Sequence, residues 1–104
     1  MAKPESSRVP VVPNESTVRG RIVRVSPGPG GQGSVWKVAV KEAKSVGGLP
    51  NFARDRVGET INVHTNPQAD LNLTEADEVE ARVAFRGDER GGRFVLVGDD
   101  ARKL

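Results

Sequence analysis

The 104-residue sequence predicts an all-β domain of five strands. Three observations carry that expectation. Short stretches alternate apolar and polar residues with a period of two, clusters of Gly, Pro, Asn and Asp separate them, and no stretch shows the 3.6-residue apolar period of a long amphipathic helix. There is no internal repeat. A chain of 104 residues, 36% hydrophobic and 29% charged, suits one globular domain with one core.

Residues 1–16 hold Pro4, Pro10 and Pro13 with several Ser and acidic residues and no periodicity, and are expected to be a disordered tail. The domain is expected over 17–104. Strand one, TVRGRIVRV over 17–25, is rich in β-branched residues, but Val18 and Ile22 share one parity and Val23 and Val25 the other. One extra residue near Gly20–Ile22 repairs the alternation, as a β-bulge does, and bends the strand so that it serves two sheets. The next stretch, SPGPGGQGSVWK, holds a literal G-x-G-x-x-G at Gly28, Gly30 and Gly33. A dinucleotide-binding loop must lead into a helix, whereas these glycines lead into SVWKVAV, a run of period two. A P-loop must continue with Lys and then Ser or Thr, but Ser34 and Val35 follow Gly33. The stretch is therefore read as a strand-to-strand connection.

In strand two, residues 34–43, Trp36, Val38 and Val40 point one way and Lys37, Ala39 and Lys41 the other. The Gly-, Pro- and Asn-containing loop that follows carries Leu49, Phe52 and Val57 as candidates to cap the core. Strand three, TINVHT, turns Ile61 and Val63 inward and Asn62 and His64 outward. NPQADLNLTEAD reads as a turn with a short helix. Strand four, EVEARVAF, puts Val79, Ala81, Val83 and Phe85 on one face. RGDERGG is a hairpin turn, and RFVLV is strand five.

Composition narrows the function classes. Apolar runs are far shorter than the about 20 residues of a membrane helix, and the N-terminus lacks the apolar centre of a secretory signal. The cytoplasm is the default compartment. Cys is absent, which removes disulfides and thiolate chemistry, so the Asn14–Ser16 and Asn72–Thr74 glycosylation matches are read as chance. A net charge of +2 hides an asymmetry: residues 1–56 carry ten Lys and Arg against four acids, and residues 57–104 carry six against ten. A basic half is what a polyanion-binding face requires.

Two phrases carry a family resemblance. VRGRIVRV resembles the V-x-G-x-I opening of many oligonucleotide/oligosaccharide-binding (OB) barrels, and LTEADEVEARV resembles the L-x-x-G-D-x-V run leading into their fourth strand. Ala76 stands where Gly is commoner, which predicts a more helical turn there. The resemblance spans Thr17 to about Val97. It implies a five-stranded OB-like Greek-key barrel with a short helix between strands three and four, and a ligand face on strands two and three bounded by the loops after strands one and four. That face takes in Lys37 and Lys41, Asn62 and His64, with Arg19 and Arg21 adjacent on strand one and Arg86, Arg90 and Arg93 from the loop after strand four. Trp36, Phe85 and Phe94 share parity with apolar neighbours and belong to the core, which leaves Phe52 as the candidate stacking platform.

Other chemistry finds little support. His64 is the only His, which rules out a multi-His metal centre. The acidic pairs Asp77–Glu78, Asp88–Glu89 and Asp99–Asp100 fall in turns and strand ends, where solvated carboxylates are ordinary. Ser34 and Ser45 lack a placed base. No catalytic residue, metal or cofactor is expected. The expectation is a non-enzymatic protein that binds single-stranded DNA or RNA, with a protein-interaction module or assembly subunit using the same face or an edge strand as the alternative.

Overall fold

The computed structural model describes residues 13–65, 73–88 and 91–104. Five strands account for most of them: β1 (Ser16–Pro27), β2 (Ser34–Ser45), β3 (Thr60–His64), β4 (Glu78–Asp88) and β5 (Gly91–Lys103). All belong to one sheet whose ladders close on themselves in the order β1-β2-β3-β5-β4. Every join is antiparallel except β3–β5, a parallel pairing of only Val63 with Phe94 and His64 with Val95. Among the described residues, no helix is long and apolar enough to cross a membrane.

The period-two pattern explains which side chains meet inside the ring. Val18 and Ile22 of β1, Trp36, Val38 and Val40 of β2, Ile61 and Val63 of β3, Val79, Ala81 and Val83 of β4, and Phe94 and Leu96 of β5 form one buried cluster, with Phe85 partly buried against it. The loop after β2 contributes a different cap from the one expected. Ala53 is the residue it buries completely, while Phe52 and Val57 remain 43% and 48% exposed. Asn51 holds this loop in place: its Oδ1 accepts from the Ser16 hydroxyl at 2.6 Å and from the Ala53 N–H at 3.1 Å.

The expected bend of β1 is present and has two parts. Its register with β2 slips between Arg19 and Gly20, where Lys41 is the extra residue on β2, and again between Ile22 and Arg24, where Val23 is the extra residue on β1. Residues 16–21 pair with β2 on one side and β4 on the other, and from Ile22 onward only the β2 ladder continues. Gly20 sits where the strands crowd. A Cβ there would run into the Ala39 carbonyl oxygen and lie 2.9 Å from Val38 Cγ1. The glycine-rich loop folds back on itself, with the Gly28 N–H donating to the Gly33 carbonyl at 3.1 Å, and enters β2 directly. No helix follows it to face a phosphate.

Two expectations about boundaries change. Asn14 and Ser16, placed in the expected tail, are buried, and Asn14 brackets Phe85 by accepting from its N–H at 2.7 Å and donating to its carbonyl at 3.0 Å. Residues 1–12 lie outside the described residues. Between β3 and β4, residues 66–72 likewise lie outside them, and no helix is shown: the described part, 73–77, is a turn. Ala76 takes a φ of 75° there, a left-handed conformation rather than a more helical one. Its N–H donates to the Ile22 carbonyl at 2.7 Å, and the Ile22 N–H donates to the Asp77 carbonyl at 2.9 Å, so the turn is stitched to the bulge of β1. β5 also runs past the expected RFVLV. It bulges between Leu96, opposite Val83, and Ala101, opposite Ala81.

Candidate functional site

Polar residues alternate outward along the strands, and the register lines them up in rows across the sheet. One row is self-neutralising. Glu42, Arg19, Glu80 and Arg102 face one another across β2, β1, β4 and β5. Arg19 Nε lies 2.7 Å from Glu80 Oε2, and Arg102 Nη2 lies 2.9 Å from Glu80 Oε1. The hydrogen bond from Arg19, then that from Arg102, holds the Glu80 carboxyl below the usual glutamate range, and the same contact with Glu80 raises the Arg19 guanidinium. Lys41 pairs with Glu78 at 3.0 Å, Arg82 with Asp100 at 2.9 Å, and Lys103 with Asp77 at 3.5 Å. Two of the expected ligand-binding cations, Arg19 and Lys41, are thus committed to carboxylates of β4.

The row that crosses β1, β2 and β3 at Arg24 carries no acid. Arg24, Lys37 and Asn62 stand opposite one another on β1, β2 and β3, all exposed, and the row beyond places exposed Arg21 between Ala39 and Thr60 on one side and Glu78 of β4 on the other. Among the described residues, Arg21, Arg24 and Lys37 form no ion pair. Like charges directly opposite, such as Arg24 and Lys37, repel and cost the sheet stability. Arg24 is the residue that sequence reasoning missed. By parity it groups with inward Val18 and Ile22, and only the extra residue at Val23 turns it out beside Lys37.

The remaining expected residues fall on the far side of β3. Arg86 and Arg93 are exposed partners across the β4–β5 hairpin, again without an ion pair among the described residues. Arg90 lies outside the described residues. His64, half-buried, stands opposite Val35 on β2 and Val95 on β5. Burial, and secondarily the Arg93 charge, push its pKa down. Phe52 is exposed as expected but stands apart from the cationic rows. It meets Phe85 edge-on with ring centroids 6.0 Å apart, and Phe85 meets Phe94 at 5.2 Å. These three rings, with Asp55, Arg56 and Glu59, line an open groove of about 470 Å³. Trp36, at 4% exposure, is core.

The arrangement therefore separates an outer surface of paired charges, centred on β4, from rows of cations on β1, β2 and β3 that form no ion pair among the described residues. Such rows can hold an anion by charge and, at Asn62, by a side chain that both donates and accepts. The chain matches no family model, no curated protein and no solved structure.

Proposed function

We propose that the chain is an OB-like Greek-key barrel, non-enzymatic, that binds single-stranded nucleic acid across the outer face of β1, β2 and β3. The ring order β1-β2-β3-β5-β4 and the bulged, doubly paired β1 support the barrel reading. One observation carries the function: Arg24 and Lys37 stand in one row with Asn62 and no acid opposite them, and Arg21, whose β4 partner Glu78 is taken by Lys41, forms no ion pair among the described residues, while Arg19, Lys41, Arg82 and Arg102 are neutralised next door. The three free cations contact phosphates, and Asn62 hydrogen-bonds base or sugar. Arg19 and Lys41 act as framework rather than contacts.

Fluorescence anisotropy of labelled single-stranded DNA and RNA, titrated at low and at physiological salt, tests the reading. Three phosphate contacts predict a log–log salt slope of at least about −2 in magnitude, at about 0.7 per contact on a single strand. Lys37→Glu and Arg24→Glu weaken binding and flatten the slope, while Arg19→Gln changes neither by much. No binding at low salt overturns the proposal. A second reading draws on the groove at Phe52, Phe85 and Phe94, because the cationic face itself presents no aromatic ring. On that reading the occupant is an apolar peptide, and Phe52→Ala abolishes capture of a protein partner while leaving oligonucleotide affinity unchanged.

A further inference from the structure

Among the described residues, two pairs of cations stand directly opposite each other on the outer surface of the sheet without an ion pair, and only one belongs to the face just described. Arg86 and Arg93 oppose each other directly across β4 and β5, exposed and without an ion pair among the described residues. Among the described residues, the Arg86 guanidinium donates one hydrogen bond, at 3.5 Å, to the carbonyl of its neighbour, Phe85. Along β5, Phe94 and Leu96 are buried inward, so Arg93 and Val95 project outward, and Val95 is the register partner of His64. His64 continues the outward series of β3 that begins with Thr60 and Asn62. The charged groups facing it are Arg93 from the β5 side and, two residues from its β2 partner Val35, Lys37. Among the described residues no carboxylate acts on it.

We propose that Arg86, Arg93 and His64 form a phosphate subsite at the β3–β5 join, contiguous with the β1–β2–β3 face, in which one phosphate bridges the two guanidiniums and accepts a hydrogen bond from the imidazolium of His64. The proposal rests on the single-strand reading for the identity of the ligand and extends it in two ways. A bound strand runs from Arg24 and Lys37 across Asn62 and His64 to the hairpin, raising the phosphates contacted from three to four. Binding also takes up a proton. In the free protein burial, and secondarily the Arg93 charge, lower the His64 pKa and so disfavour the imidazolium. A phosphate between the two cancels the Arg93 charge and favours the imidazolium, so affinity rises as pH falls.

The test uses the full chain in two measurements at matched ionic strength. The first follows the His64 ring by NMR across pH, with and without inorganic pyrophosphate. Pyrophosphate is expected to move the titration upward by about one pH unit, equivalent to about tenfold tighter binding to the protonated form. Arg93→Gln moves the free-protein titration upward and removes the response to pyrophosphate. The second measures the oligonucleotide salt slope, expected at about −2.8 for four phosphates and about −2 in Arg86→Gln/Arg93→Gln. His64→Gln should abolish the gain in affinity between pH 7.5 and pH 6. If oligonucleotides bind but pyrophosphate leaves His64 unmoved and the double variant keeps its slope, the subsite is overturned and the β1–β2–β3 face stands. If pyrophosphate moves His64 but no oligonucleotide binds, the subsite stands and the single-strand reading falls. Silence in both measurements removes both.

Discussion

Ala76 and Gly20 show how much of this fold rests on two residues that carry almost no side chain. At φ 75° Ala76 occupies the left-handed region, which costs an L-residue about 1–2 kcal/mol, and it stays there because its N–H is bonded to Ile22. Ala76→Gly relieves the strain but adds about 0.4–1 kcal/mol of unfolded-state entropy, so a net stabilisation of about 0.5–1 kcal/mol is expected. Thermal unfolding followed by Trp36 fluorescence reads it as a Tm about 4 °C higher. Gly20 predicts the opposite sign. Its missing Cβ lets β1 touch Ala39, and Gly20→Ala should destabilise by about 2 kcal/mol or more, since backbone rather than a flexible side chain must move.

At the scale of the strand, cross-strand partners decide which charges are structural. Glu80 on β4 takes hydrogen bonds from Arg19 on β1 and Arg102 on β5. Its pKa is lower folded than unfolded, so its contribution is complete above the ordinary glutamate value of about 4.3 and is lost as pH falls through the folded value. Wild type should therefore lose stability on acidification below about pH 4.3 more steeply than Glu80→Gln, as chemical denaturation across that range would show. The Arg24–Lys37 pairing behaves in reverse. Lys37→Glu places opposite charges across β1 and β2 and should raise stability by about 0.2–1 kcal/mol while weakening oligonucleotide binding. A variant that lost both would show Lys37 to be a fold residue instead.

Over the whole molecule, the closed order of strands distributes both stability and charge. Residues 16–21 of β1 are paired on both sides, whereas β3 meets β5 through two residue pairs. Amide hydrogen exchange should find the slowest amides in β1 and β2 and the fastest strand amides in β3 near Thr60–Asn62 and at the ends of β5. Opening there would loosen His64 and Arg93 together, since they share that join. Uniform protection around the ring would contradict a weak β3–β5 join. The same closure brings the acids of β4 against β1, leaving the basic surplus of the N-terminal half exposed on β1 and β2.

The period-two alternation of Trp36–Val40, Ile61–Val63 and Val79–Val83 was enough to give the strands and most of the core, because burying one face of a strand leaves its mark at every second residue. The slip of parity in TVRGRIVRV even announced a bulge. What the sequence could not state was where that bulge lies, and hence that Arg24 faces outward. Nor could it show that Arg19 and Lys41 are spent on Glu80 and Glu78, that Ala53 rather than Phe52 or Val57 fills the cap, or that Arg86 and Arg93 stand opposite each other. These depend on which residues strand register brings together, from Arg86 with Arg93 across one hairpin to Arg19 with Glu80, 61 positions apart. Charge on a residue is written in its own code, but whether that charge is free is set by the partner that strand register brings beside it.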